Sequence, residues 1–411
     1  MYPYTMESSL IGVELGHNDV TSSSETTYKN IKTREIINSI QSGIEHVING
    51  STSEIDRDLL IQDFMTLETS TIPSKGPYNS SFKFKNYAPV AFRHFGDLFG
   101  IKMENYLHSM CSSPLRELPS PGGSNSAFYL TYDDAFIVKT ISKTEGEFLL
   151  KLLPGYYLNL TQNPRTLLPK FFGFYSINRN GKRIHLVTMN NVIPSNIRIN
   201  QRYDLKGSTH RRKLNPIEAA KPSPTYKDLD FLQHHPGGLH LDSETYNMLS
   251  ETLKRDCRVL ESFDIIDYSL LLAVHYSGPT PKRPKNKGRV SGVPATTING
   301  ERLILFMGII DTLQCYQIRK KIEHAWKSLI YKSDSISVHR PDTYSSRFRK
   351  FIMTSVFRKI TKRKMEALQP IKEESAVSNS ILRLTWTPHN MLTPYNEDLN
   401  EDETKSVPIV N

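Results

Sequence analysis

The chain has 411 residues, 23% of them charged and 38% apolar, which suits one large or two moderate globular domains with a real core. A formal net charge of +10 favours a polyanionic partner: a nucleic acid, an anionic membrane or a phosphorylated substrate. Three dispersed cysteines, Cys111, Cys257 and Cys315, exclude a disulfide framework and offer no zinc spacing, and no stretch is apolar enough for a transmembrane helix.

The opening MYPYTMESSL lacks the basic and apolar regions of a signal peptide, and neither end carries a lipidation signal. Any membrane contact is therefore expected from surface side chains, and the dispersed cysteines point to a reducing compartment. Residues 1–30 are polar and read as a disordered tail. Ile36, Ile37, Ile40, Ile44, Val47 and Ile48 mark one face of a helix that Gly50 ends. A second helix is expected over 56–65. Phe82 and Phe84 alternate with Lys83 and Lys85, a strand pattern, and Pro89 opens a helix carrying Phe92, Phe95 and Phe99.

Two β-rich runs then flank Asp133-Asp134, a hairpin signature, with Gly122 and Gly123 ahead of the first run and Lys139 in the second. A helix over 145–153 and strands over 168–175 and 183–189 complete a small antiparallel sheet with a helix on it. Beyond Met189 to Val192 come a strand over 197–205, a basic cluster at Arg211, Arg212 and Lys213, and a long helix over 243–263. Residues 278–299 are rich in Pro, Gly and Lys without apolar period and read as a flexible insert. Leu303 to Ile310 is an apolar run that suits a strand buried on both faces, and it stops on Asp311. A carboxylate there must be hydrogen-bonded, paired or metal-bound.

Ile318, Ile322, Ala325, Trp326 and Leu329 follow at helical spacing, with Arg319, Lys320, Lys321, His324 and Lys327 on the other face. A cationic helix with Trp on its apolar side is suited to an anionic membrane, although the plainer reading is a solvated surface helix. Residues 347–364 are basic and read as helical. From Pro370 the chain is expected to be mostly disordered, with acids over 396–403.

Phosphoryl transfer needs a small-residue turn over the phosphates, a lysine to neutralise them, an acid for Mg²⁺ and an acid to orient the attacking hydroxyl. Gly122 and Gly123, Lys139, Asp267 and Asp311 supply these types. Taken singly each has a plainer reading: a turn, a solvated lysine, a satisfied structural acid, a capped turn. No Walker, DFG or HRD pattern occurs.

The segments PGGSNSAFY, FIVKT, MNNV, YDLKGSTHRR, PTYKDLDF, IDYSLLL, GIID and KKIEHAWKSLI together resemble the phosphatidylinositol phosphate kinases, and within them the type I branch, the phosphatidylinositol 4-phosphate 5-kinases. The resemblance covers roughly 34–359, apart from the insert. It implies an α+β, two-lobed lipid-kinase fold with antiparallel sheets around an ATP cleft. The lobes would be 31–192, for dimerisation and ATP, and 193–365, for catalysis and substrate, with an activation segment over 311–340.

The same resemblance implies residue roles. The turn Gly122, Gly123, Ser124, Asn125, Ser126 would cover the phosphates of ATP. Lys139 would contact them, paired with Glu147 or Glu145. Met189, Asn190, Asn191 and Val192 would form the hinge beside adenine. Lys206 would stabilise charge on the transferring phosphate, Asp267 would orient or deprotonate the inositol hydroxyl, and Asp311 would bind Mg²⁺. Arg211, Arg212, Lys320, Lys321 and Trp326 would meet phosphatidylinositol 4-phosphate and the anionic membrane. Glu323 carries the subtype, because this position is acidic in type I and alanine-like in type II. Asn125 departs from the family's later glycine, but Asn tolerates positive φ.

A peripheral homodimer at the cytoplasmic face of the plasma membrane is the implied state. Two alternatives stand beside it: a catalytically weak phosphoinositide-binding scaffold, and a type II 5-phosphate 4-kinase. A nucleic-acid binder would rest on net charge alone, without a recognition motif.

Overall fold

A computed structural model describes residues 18–50, 57–73, 81–118, 126–163, 165–179, 181–194, 197–277, 292–313 and 340–360, with side chains from Thr33 onward. The fold is α+β, built on two sheets. The first contains β1 (Leu67–Pro73), β2 (Ser81–Tyr87), β3 (Arg116–Leu118), β4 (Phe128–Leu130), β5 (Phe136–Ile141), β6 (Phe171–Arg179) and β7 (Lys182–Asn190), in the order β1-β2-β6-β7-β5-β4-β3. Every neighbouring pair is antiparallel. Helices α1 (Asn18–Asn49), α2 (Pro89–Leu98), α3 (Met103–Cys111) and α4 (Lys143–Gln162) belong to this half. Phe84, Phe95, Tyr156, Phe171 and Phe174 are buried in its core.

The second sheet contains β8 (Gln201–Leu205), β9 (Leu239–Asp242), β10 (Ser269–Tyr276), β11 (Val293–Thr296), β12 (Arg302–Ile310) and β13 (Phe357–Ile360), in the order β13-β9-β11-β12-β10-β8. It is antiparallel except where β13 runs parallel to β9. Helices α5 (Pro216–Ala219), α6 (Asp228–His234), α7 (Ser243–Ser262) and α8 (Pro341–Phe351) surround it. The apolar run of β12 is central: Leu303, Leu305, Phe306, Met307 and Ile309 are all buried, each contributing about 1.5–3 kcal/mol.

The halves meet at definite contacts. The Ile309 N–H donates to the Leu167 carbonyl at 2.7 Å. Asp256 of α7 accepts from the Leu167 N–H at 2.6 Å and from the Thr166 hydroxyl at 2.8 Å. A Cβ on Gly308 would lie 2.8 Å from Val192 Cγ2, so the glycine lets the segment after β7 close onto β12.

Several expectations need correction. Helix α1 begins at Asn18, inside the stretch read as a tail. The helix expected over 56–65 is a single 3₁₀ turn, Ile61–Phe64, followed by β1. Helix α4 continues past Pro154 because Tyr156, Tyr157 and Leu160 remain on its buried side. The insert is shorter than expected, since Val293 and Ala295 turn inward and make β11 an internal strand. The basic stretch after α8 passes through a π turn, Ile352–Val356, into β13, where Phe357 and Ile360 are buried.

Candidate active site

Three adjacent strands of the second sheet bring their ends together. Leu205 of β8 lies opposite Leu270 of β10, and Ile310 of β12 lies opposite Ser269. Lys206 follows β8, Asp267 precedes β10 and Asp311 follows β12, so all three emerge at the same edge of the sheet. The Lys206 ammonium donates to the Asp267 backbone carbonyl at 2.7 Å. The Tyr344 hydroxyl, from α8, donates to the next carbonyl, that of Tyr268.

Both acids hold left-handed backbone, with φ of 65° at Asp267 and 61° at Asp311. A non-glycine residue in that region costs about 1–2 kcal/mol. Such strain persists only where the surroundings enforce it, and it gathers at functional sites. Here the strand register and the Tyr344 contact supply the enforcement.

Lys139 enters from the first sheet. It lies on β5, opposite Val187 of β7, and its ammonium stands 3.8 Å from Asp311 Oδ1 and 5.5 Å from the centre of the Phe128 ring. The Lys139 side chain is 14% exposed and that of Asp311 39%, so the pair remains accessible where the two sheets approach each other. At this separation the carboxylate oxygens are not tied up by a short charge-assisted bond.

The acid suits a hard divalent cation. Among the described residues no three His, Cys, Asp or Glu side chains cluster as a metal cage. One or two carboxylates completed by nucleotide phosphates and water is the usual provision for Mg²⁺.

The segment after β7 is held by its own amides. The Asn190 side chain accepts from the Lys170 N–H at 2.9 Å. Asn191 Nδ2 donates to the carbonyls of Asp134 and Ile193 at 2.9 and 2.7 Å, and its backbone N–H donates to the Ala135 carbonyl at 2.8 Å. Met189 pairs with Ile137 in the sheet.

Two expected contacts are absent from this arrangement. The Glu147 carboxylate pairs with Lys143 at 3.6 Å, one turn back on α4, and not with Lys139. Glu145 folds back on the helix start, where it accepts from the Ser142 N–H at 2.7 Å in a capping box. Arg212 is largely buried and engaged: Nε donates to Asp228 Oδ2 at 2.6 Å, and Nη2 donates to Asp204 Oδ1 at 3.0 Å. Arg211, in contrast, is exposed, with φ of 53°. Ser126 is described at the start of the strand run, whereas Gly122, Gly123, Ser124, Asn125, Lys320, Lys321, Glu323 and Trp326 lie outside the described residues.

The comparisons with known proteins decide the family. A family model described as phosphatidylinositol-4-phosphate 5-kinase matches residues 109–295 and 280–355. The chain is 45% identical over 425 residues to the type-1 beta phosphatidylinositol 4-phosphate 5-kinase of Rattus norvegicus, covering 92% of this chain and 78% of that protein. It is 46% identical over 391 residues to the type-1 alpha enzyme of Homo sapiens, covering 84% and 70%. The chain belongs to the phosphatidylinositol-4-phosphate 5-kinase family. The type-1 beta protein of Gallus gallus is also similar, 43% identical over 435 residues.

In this 5-kinase family member, two acids matter that sequence reasoning passed over. Asp228 is fully buried beside Lys206. Asp256 is buried under the link between the halves, and that burial raises its carboxyl to about 6 despite the hydrogen bonds from Leu167 and Thr166. The only sequence hint was a pair of acids, Asp228 and Asp230, bracketing an apolar residue in KDLDF.

Proposed function

We propose that this chain is an ATP-dependent lipid kinase that phosphorylates the 5-hydroxyl of phosphatidylinositol 4-phosphate, giving phosphatidylinositol 4,5-bisphosphate. The observation that carries the reading is the 3.8 Å approach of Lys139 to Asp311, beside Lys206 and Asp267 at one sheet edge. Lys139 neutralises ATP phosphate charge. Lys206 stabilises charge on the phosphoryl group in transit. Asp267 accepts the proton of the inositol hydroxyl or orients it. Asp311 would hold Mg²⁺, which would supply neutralisation of phosphate charge. Met189, Asn190, Asn191 and Val192 would border adenine.

The substrate head group stays in the bilayer, so the enzyme must come to it. The net charge of +10 supports attraction to an anionic leaflet, where each basic residue near the surface contributes about 1 kcal/mol. Among the described residues no helix is long and apolar enough to cross a membrane. Peripheral attachment at the cytoplasmic face of the plasma membrane, through Arg211, Lys320, Lys321 and Trp326, completes the reading. A homodimer is supported by Leu60, Ile61, Met65 and Leu67, which are exposed beside β1 at the edge of the first sheet.

Neither alternative is favoured. The relatives named above are 4-phosphate 5-kinases, and Lys139, Lys206, Asp267 and Asp311 are all present. Product analysis on vesicles carrying the 4-phosphate or the 5-phosphate isomer tests the reading. Faster conversion of the 4-phosphate is expected, and preference for the 5-phosphate would make the chain a 4-kinase.

A further inference from the structure

We infer that Asp228 is a positioning residue for Lys206, and that Arg212 serves this carboxylate instead of the lipid. The inference rests on the kinase reading above. Asp228 Oδ1 accepts three consecutive backbone N–H groups, from Lys206 at 3.0 Å, Gly207 at 2.7 Å and Ser208 at 3.3 Å. Its Oδ2 accepts from Arg212 Nε at 2.6 Å. Arg212 then reaches Asp204, which pairs with Leu271 in the sheet, so strand, turn and carboxylate form one closed unit.

A capping role for α6 does not account for these bonds. Asp228 is the first residue of that helix, yet the N–H of Lys227, at the helix start, goes to Asp230 Oδ2 at 3.0 Å. Asp228 points instead at the turn that follows β8. A buried carboxylate needs a counter-ion and filled acceptor sites, and Arg212 with the three N–H groups supplies both. Burial works against the Arg212 charge, but Asp204 and Asp228 together hold its pKa above the usual value.

The other side of the turn is closed by α8. Gly207 has φ of 68°, and a Cβ there would lie 3.1 Å from Phe348 Cα and 3.2 Å from the Arg347 carbonyl. The Lys206 backbone is thus clamped between a carboxylate and a helix, and its ammonium is aimed at Asp267. Lysine is long and rotamer-rich, so its aim depends on a fixed Cα. A misplacement of about 1 Å at a reacting centre costs about 100-fold in rate.

The test is a double-mutant cycle of Asp228→Asn and Lys206→Ala in the full chain. Phosphate transfer from ATP to vesicles of phosphatidylcholine with phosphatidylinositol 4-phosphate is measured, and melting temperature monitors folding. Asn keeps an acceptor for the turn but cannot neutralise Arg212. Asp228→Asn is expected to lower kcat by about 100-fold with KM for ATP little changed, and to lower it no further when Lys206 is already Ala. Equal losses in both backgrounds, or an unchanged kcat in the single variant, would overturn the inference.

If Asp228→Asn does not fold, Arg212→Gln enters the same cycle under the same criterion. Arg212→Gln is also expected to leave co-sedimentation with the vesicles unchanged. Lost sedimentation with normal turnover by the bound enzyme would return Arg212 to the lipid and sink the proposal. A wild-type chain without transfer would remove the kinase reading itself, whereas an active wild type with additive losses removes only the role of Asp228.

Discussion

Lys139 and Asp311 stand 3.8 Å apart although they belong to different sheets, one within β5 and the other just past β12. Their meeting depends on contacts well behind them: the bond from Ile309 to Leu167, and the packing of Val192 against Gly308. Asp311→Asn keeps the shape of the site and removes its charge. Its kcat for lipid phosphorylation is expected to fall at least about 100-fold, the scale for losing one electrostatic partner of a transition state. The melting temperature should move little, because the side chain is 39% exposed and its pairing is screened by water. A large melting shift with normal turnover would make Asp311 structural.

Glu147 serves as a contrast. Its carboxylate meets Lys143 at 3.6 Å on the exposed face of α4, a pair worth about 0.3–0.5 kcal/mol. Glu147→Gln is expected to leave kcat within about 2-fold, since no transition-state contact is removed. A loss beyond tenfold, about 1.4 kcal/mol in steady-state kinetics, would mean that nucleotide binding draws this side chain to Lys139.

Gly207 allows no side chain. Its φ of 68° and the 3.1 Å approach of Phe348 Cα oppose Gly207→Ala by strain and by collision with backbone. A stability loss of about 2 kcal/mol or more is expected in denaturant titration, with reduced turnover. A variant as stable and active as the wild type would show that α8 yields easily.

Asp256 gives the fold a pH dependence of definite sign. Burial raises its carboxyl from 3.8 to about 6, so between those values the folded chain binds more protons than the unfolded chain. Stability from this group therefore falls as pH rises through that window, by an amount on the order of 3 kcal/mol. Asp256→Asn removes the titration. The stability of wild type relative to this variant should decline from pH 4 to pH 6 and then level. A flat difference would show that the carboxyl is not raised.

The exposed apolar group beside β1 bears on self-association. Ile61 is 62% exposed and Met65 78%. A sheet edge with exposed apolar neighbours favours pairing with a second copy. Ile61→Glu with Met65→Glu is expected to shift sedimentation from dimer to monomer. A wild type already monomeric at micromolar concentration would remove the dimer from the reading.

Much of this arrangement was legible in the sequence, for identifiable reasons. Leu303 to Ile310 announced a buried strand because both of its faces are covered, and Asp133-Asp134 announced a hairpin turn, with Asp134 at φ 58°. β1 was not legible: Glu68, Thr69 and Thr71 are polar and exposed, only Ile72 is buried, and the preceding apolar residues mimic a helical face. The partners of Glu147 and Arg212 were also out of reach. A helix neighbour four residues away captures Glu147, and a carboxylate 16 residues downstream captures Arg212. Local pattern carries no record of such competition between partners. Asp228 is the extreme case, an acid whose partners lie in a turn and an arginine that precede it in the chain.

The most direct measurement is transfer of radiolabel from γ-labelled ATP to vesicles carrying phosphatidylinositol 4-phosphate, with wild type and Lys139→Met side by side. Label is expected in phosphatidylinositol 4,5-bisphosphate with the wild type, and at least about 100-fold less with the variant, which keeps its fold but has lost the cation facing Asp311. Equal label from both proteins, or none from the wild type above the variant, would contradict a kinase site built where the two sheets meet.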